Sequence, residues 1–184
     1  ASETKFKVGR CDIRNLSEVK FVLDKVKPHR VFHLAALSDP NLCDREAKLS
    51  EEINYSASIQ LAGLCAERKI KLIFTSTDLV FDGTQGNYAE QDSVNPLSRY
   101  GEQKVMVEDF LKEIPGALIC RMPLMYSADL SNQRSMLSYI KMKIDQGEKV
   151  ALFTDEYRSV ANIDCAAKAL MSAADVDKKM LHLG

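Results

Sequence analysis

Apolar residues along this chain fall into short continuous runs separated by longer stretches of helical period, and the two kinds of segment take turns from one end to the other. KFKVGRC (5–11) predicts a first strand. NLSEVKFVLDKVK (15–27) predicts a helix with Val19, Phe21, Val22 and Val26 on one side, and Asn15 and Glu18 are spaced as a capping box. RVFHLAA (30–36) reads as a strand covered on both faces. Residues 44–69 predict one long helix, with Ile53, Ala57, Leu61, Leu64 and Cys65 on a 3.6 period. KLIFTS (71–76) and ALICR (117–121) are further buried strands, on either side of the helix SRYGEQKVMVEDFLKEI (98–114). A helix around 132–146, a strand KVALF (149–153), a strand near 158–162, a helix DCAAKALMSAA (164–174) and a last strand KMLHL complete the chain. Such alternation implies right-handed crossovers and an α/β fold with an open parallel sheet covered on both faces. There is no internal repeat and no low-complexity tract.

Composition narrows the functional classes. The 184 residues are 46% hydrophobic and 28% charged, with a formal charge of −1 and both signs interspersed. This is the profile of a soluble globular domain, and its charge favours neither nucleic acid nor a membrane surface as partner. No apolar run approaches the ~18 residues of a membrane span, and no signal-peptide pattern opens the chain. The five cysteines are odd in number and widely spaced. They read as reduced thiols of a cytoplasmic protein, with neither a disulfide framework nor a metal site.

In open parallel sheets, ligands bind beyond the carboxyl ends of the strands. The connection after KLIFTS is long enough to suggest a binding or active-site segment. It runs TSTDLVFDGTQGNYAEQDSVNPLSRYGEQK, with a turn at Asp82 and Gly83, and with Pro96 and Ser98 leading into the helix. Tyr100 and Lys104 open that helix four residues apart, which places them on one helical face. A nearby ammonium stabilises phenolate, so this pairing lowers the tyrosine pKa toward the working pH and makes the phenol a usable proton donor. Thr77, at the strand end, is placed to hold a substrate oxygen beside that proton. Spacing alone decides nothing, because Tyr139 and Lys143 share it inside an ordinary amphipathic helix. His33 lies within an apolar strand and is expected to be a core histidine. The methionines, Met171 included, are expected to be core filler.

The runs TSTDLVFDG, NPLSRYGEQK and ICRMPLMYS, with DIRN and HLAA upstream and DEYRSVANIDCAAKAL downstream, resemble the extended short-chain dehydrogenase/reductases. Within them the chain looks most like the dTDP-4-dehydrorhamnose reductase group, which also includes the regulatory beta subunit of methionine adenosyltransferase. The resemblance implies a Rossmann-like doubly wound parallel sheet, here one dinucleotide-binding domain over 1–184 with a substrate lobe starting after about 150. It also implies that the chain is the middle of a longer protein, because the family places a glycine-rich phosphate-binding turn ahead of Ala1 and a substrate lobe beyond Gly184. The segment alone is then expected to be inactive and to hold NADP(H) weakly or not at all.

Carried over by position, the resemblance makes Tyr100 the general acid for a carbonyl reduced by NADP(H) or NAD(H). Lys104 binds the nicotinamide ribose and tunes Tyr100, Thr77 bonds the reacting oxygen, and Asn54 is the asparagine of the central helix. Asp12 and Ile13 flank the adenine, Ala35 and Ala36 line the cofactor groove, and Met122, Pro123 and Leu124 edge the nicotinamide pocket. Asp78 and Arg158 join Thr77 on the substrate side, Arg158 near the diphosphate. The substrate implied is a nucleotide-linked 4-keto-6-deoxy sugar. The alternatives are a non-catalytic regulatory subunit serving a catalytic partner and, third, a sugar-nucleotide epimerase; a homodimer is possible by analogy with relatives. Dehydration is disfavoured, because Asp78 is followed by Leu79 where dehydratases carry an Asp-Glu pair.

Overall fold

The structure is a computed structural model that describes residues 7–127 and 136–184. In chain order its elements are α1 (Leu16–Val26), β1 (Arg30–His33), α2 (Pro40–Arg45), α3 (Ala47–Ser50), a π-helical segment (Glu51–Ser56) and α4 (Ala57–Glu67). β2 (Lys71–Thr77), a 3-10 turn (Asp78–Val80), α5 (Arg99–Lys112), β3 (Ala117–Met122) and β4 (Leu124–Tyr126) follow. The last elements are α6 (Met136–Asp145), β5 (Val160–Asn162), α7 (Ile163–Ala173) and β6 (Met180–His182). Four strands form one parallel sheet in the order β1-β2-β3-β6, and β4 pairs with β5 in a separate parallel ribbon. This is the Rossmann-like doubly wound arrangement.

Alternation along the central strands sends successive side chains to opposite layers. Leu72 and Phe74 of β2 and Ile119 of β3 pack with Val19 and Leu23 of α1, Leu61 and Leu64 of α4, and Val107 and Leu111 of α5. Ile73, Leu118, Cys120 and Met122 pack on the other side with Ala166, Leu170 and Ala173 of α7. Each fully buried Leu, Ile or Phe contributes about 1.5–3 kcal/mol relative to exposure, so these two layers supply most of the driving force. The register Ser76↔Arg121 and Thr77↔Met122 brings the ends of β2 and β3 level, and that edge carries the long connections.

Five expectations are corrected, the first being that the methionines are core filler: Met171 is 60% exposed, and Met106, Met125 and Met142 are exposed too. The long helix over 44–69 is interrupted at Glu46, whose backbone (φ −110, ψ 51) leaves the helical region, and the hydroxyl of Ser50 caps carbonyls of Cys43 and Ala47 there. Residues 7–11 form no strand, because among the described residues no ladder partner lies beside them, and Val8 is 97% exposed; residues 5 and 6 lie outside the described residues. KVALF is likewise not a strand, and Leu152 and Phe153 point into solvent. In α1 the buried positions are Val19 and Leu23, whereas Phe21 and Val26 are exposed. The start of the helix predicted over 132–146 lies outside the described residues.

Candidate active site

The connection from β2 to α5 is folded rather than loose. Asp82 gathers it, accepting from the Tyr88 hydroxyl at 2.6 Å, from Thr84 N at 2.9 Å and from Asn95 Nδ2 at 2.9 Å. These donors hold its carboxyl well below the usual range. Phe81 stacks on Tyr88 with ring centroids 4.2 Å apart. Ser98 caps α5 by accepting from Gly101 N at 3.2 Å.

Gly101 answers why a helix would place glycine between Tyr100 and Lys104. A Cβ there would lie 2.4 Å from the Leu79 carbonyl oxygen and 2.9 Å from Pro96 Cβ. The first turn of α5 therefore rests directly on the 3-10 turn after β2, and only glycine allows that approach. The close contact sets Tyr100 against the end of β2.

Tyr100 and Lys104 are both buried, and the Lys104 ammonium lies 5.6 Å from the Tyr100 ring centroid and 4.5 Å from that of Phe74. Lys104 donates one N–H to Thr75 O at 2.8 Å, which leaves two of its three donors for a ligand. Burial dominates the titration of the pair. It pushes the Tyr100 phenol up to about 12, with smaller contributions from Cys43 and Asp78. It brings Lys104 down to about 8, against a raising influence of Glu108. The expected lowering of the Tyr100 pKa is thus overturned, because the loss of hydration on burial disfavours the phenolate, and Cys43 and Asp78 act in the same direction.

Thr77 ends β2. Its hydroxyl donates to Asp78 Oδ1 at 3.1 Å and accepts from Leu79 N at 3.2 Å. The two substrate-side candidates meet each other: the Arg158 guanidinium grips both Asp78 oxygens at 2.7 Å. Thr77, Asp78, Arg158 and Tyr100 thus surround one end of the sheet.

Asn54 sits in the π-helical segment, the kind of helical irregularity that recurs at functional sites. It clamps the backbone of Leu37, accepting from Leu37 N at 2.8 Å and donating to Leu37 O at 3.0 Å, and it donates to Gln103 Oε1 at 2.8 Å. Gln103 in turn donates to Ser50 Oγ at 2.9 Å. Asn54 therefore touches backbone and α5. It fixes the loop that follows β1, in which Ala35 and Ala36 are small residues. His33 is a core histidine: Nε2 donates to Ser58 Oγ at 2.8 Å, Ser58 donates to Asn54 O at 2.7 Å, and burial lowers its pKa to about 4.

Asp12 and Ile13 precede α1. The Asp12 carboxylate is held by Arg14 at 2.7 and 3.0 Å, and that hydrogen bonding lowers its pKa to about 2. Met122 ends β3, Pro123 follows it and Leu124 opens β4.

Charge placement inside the sheet was not foreseen. Arg121 and Glu108 form a buried bidentate pair at 2.6 and 3.0 Å. The remaining Arg121 N–H groups reach His182 Nε2 at 3.1 Å and Glu90 O at 3.4 Å, and the guanidinium lies over Phe81. Ser76 carries a buried hydroxyl that finds no hydrogen-bond partner among the described residues. A signal was present in the arginine closing the apolar run ALICR, and in a glutamate one turn after Lys104 on the same helical face.

The RmlD substrate-binding domain model matches residues 2–184. The chain belongs to that family. It is 34% identical over 149 residues, 79% of its length, to "Probable low-salt glycan biosynthesis reductase Agl14" of Haloferax volcanii. It is 33% identical over 134 residues, 72% of its length, to methionine adenosyltransferase 2 subunit beta of Xenopus laevis. The chain spans 50% and 40% of those two relatives. Among solved structures, dTDP-4-dehydrorhamnose reductase from Bacillus anthracis, in complex with NADP, superposes with a TM-score of 0.86 at 23% identity. That match covers 94% of this chain and 61% of the reductase, and at this identity it shows the fold. Among the described residues no helix is long and apolar enough to cross a membrane, and no group of His, Cys, Asp and Glu is arranged to hold a metal ion.

Proposed function

We propose that this RmlD-family domain is the nucleotide-binding core of an NADP(H)-dependent reductase of a nucleotide-linked 4-keto-6-deoxy sugar. The observation that carries the reading is the Tyr100–Lys104 pair, buried at the carboxyl end of β2 with Thr77, Asp78 and Arg158 around it. With a phenol near 12 and an ammonium near 8, both groups hold their protons at neutral pH, which is the state an acid and its cationic neighbour need. The Tyr100 phenol donates its proton to the carbonyl oxygen. Thr77 orients that oxygen, turning its own O–H away from Asp78 to do so. A nicotinamide cofactor, when bound, would supply the hydride.

The residues present fit the nicotinamide half of such a cofactor. Lys104 has two spare donors for ribose hydroxyls, and Ala35 and Ala36 leave the end of β1 open to close approach. Met122, Pro123 and Leu124 edge the same end, and Asp12 and Ile13 sit on the adenine side with Arg14 held against Asp12. Arg158 faces the substrate diphosphate once Asp78 yields it. A domain of this kind extends as a substrate lobe from about residue 150.

NADPH oxidation by the protein carrying this chain, measured with a panel of 4-keto sugar nucleotides, tests the reading. Turnover that falls by about 10²–10⁴ in Tyr100→Phe supports the reductase. A second reading, a non-catalytic subunit serving a catalytic partner, is favoured by the identity to methionine adenosyltransferase 2 subunit beta. Tight NADPH binding with no turnover on any member of the panel would select it.

A further inference from the structure

Lys104 is among the largest side chains with almost no solvent exposure, and a charge so placed needs a compensating partner. Its hydrogen bond goes to a neutral carbonyl, Thr75 O, and its other neighbours include the faces of Phe74 and Tyr100. Among the titratable groups around it, Tyr100 and Glu108 share its helix, His33 faces it from β1, and Cys43 lies on α2. Asp78 acts on Tyr100 from the 3-10 turn but is taken by Arg158. Of these, Glu108 alone is a buried carboxylate. It lies one turn further along the same helical face, only 1% exposed, and Arg121 of β3 holds both of its oxygens.

We propose that Glu108 is the buried counter-ion that keeps Lys104 in its ammonium form, with Arg121 fixing the carboxylate in place. Lys104 and Glu108 lie one turn apart on α5 and Arg121 reaches Glu108 from β3, so the three make a row of alternating charge. Without Glu108 the row would be two cations in an apolar layer, and lysine is the member that can shed its proton. Arg121 adds a second consequence. Its outer N–H groups hold Glu90 O and His182, so the carboxylate that supports Lys104 is anchored to the same arginine that secures the loop before α5. Glu90 itself accepts from His182 N at 2.9 Å, which completes the attachment. Glu108 is thus a positioning residue that acts through Lys104. Its importance for turnover rests on the functional reading above; its effect on the ammonium does not.

The test reads the ammonium directly. In protein isotope-labelled at the lysine ε-carbon, the Lys104 resonance, assigned by its loss in Lys104→Arg, is followed by NMR from about pH 6 to about pH 11. The wild-type midpoint is expected near 8. Glu108→Gln is expected to move it down by about one pH unit or more, while Glu108→Asp keeps it near the wild-type position. An unmoved midpoint in folded Glu108→Gln overturns the proposal. If the unpaired guanidinium unfolds that variant, the same comparison is made in an Arg121→Gln background. There Glu108→Gln must again lower the midpoint by about one pH unit, and no displacement overturns the proposal equally. A displaced midpoint with no change in NADPH turnover would leave the counter-ion role standing and count against the reductase reading alone.

Discussion

Tyr100 with Lys104 and Tyr139 with Lys143 are the same motif in two settings. Each pair lies four residues apart on a helix, and the ammonium sits 5.6 Å from the ring centroid in the first and 5.9 Å in the second. Spacing therefore delivers the same local geometry in both. Everything else differs: Tyr100 is 8% exposed and Tyr139 51%, and Lys104 caps a carbonyl inside the fold whereas Lys143 pairs with Glu148 at the surface. The residue after the tyrosine is glycine in one and isoleucine in the other, because only the first pair is pressed against a neighbouring turn. A motif becomes a candidate site through desolvation and support from beyond its own helix. The contrast can be broken at several points.

The largest expected effect is on chemistry. Tyr100→Phe should lower turnover by about 10²–10⁴, and Tyr139→Phe should leave it within about twofold, with steady-state NADPH oxidation as the measure. Comparable losses in both would dissolve the distinction. Next comes the internal charge. Arg121→Met strands Glu108 in an apolar layer and should cost about 3–5 kcal/mol in urea unfolding, with faster amide exchange over residues 81–97. A cost below about 1 kcal/mol would mean that the pair supports nothing.

The environment of the first pair also has a pH signature. His33 contacts the helix that carries Asn54 and is held neutral, with its pKa lowered from 6.5 to about 4 by burial and by Lys104. The unfolded chain binds the extra proton first, so the stability that His33 contributes is fully present above about pH 6.5 and is lost as pH falls toward 4. The span corresponds to about 3 kcal/mol. Unfolding midpoints in urea, measured from pH 7 to pH 4, should show this slope, and it should flatten in His33→Gln. Gly101→Ala comes below it, at about 1–3 kcal/mol, since its Cβ would force the 3-10 turn away from α5. Gly63→Ala, in α4 where a Cβ meets nothing within 4 Å, should instead stabilise by up to about 1 kcal/mol.

What could be read from residues follows the same division. β2, β3 and α5 were legible because burial on two faces leaves continuous apolar runs and because Ser98 and Pro96 announce a helix start. KVALF carried the same apolar signal yet forms no strand, since a run of this kind becomes one only beside a neighbour that accepts its hydrogen bonds. The break at Glu46 was invisible for a related reason, being set by the Ser50 hydroxyl folding back onto Cys43. In the candidate site, the places of Tyr100 and Lys104 in the first turns of α5 and of Thr77 at the end of β2 were legible from position along the chain. The direction of the Tyr100 titration was not, because it depends on how much water the fold removes. Glu108 and Arg121 escaped notice because their partnership spans two elements; Asp78 and Arg158 were both named from the sequence, but their pairing with each other was not.

The smallest effect bears hardest on the comparison. Lys143→Met removes the ammonium beside Tyr139 and the pairing with Glu148, both at the surface, where such a pair is worth about 0–1 kcal/mol and is weakened by salt. Thermal and urea unfolding should therefore shift by no more than about 0.5 kcal/mol, less at high salt, with turnover unchanged. Lys104→Met, with the same loss of charge and nearly the same ring distance, should cost turnover while the fold persists, since the methionine fills most of the lysine's buried volume. If both substitutions prove silent in turnover, geometry without desolvation and geometry with it would be equivalent, and burial of the first pair would be ordinary core packing. If Lys104→Met alone is costly, the difference between two equally spaced pairs lies in what surrounds them.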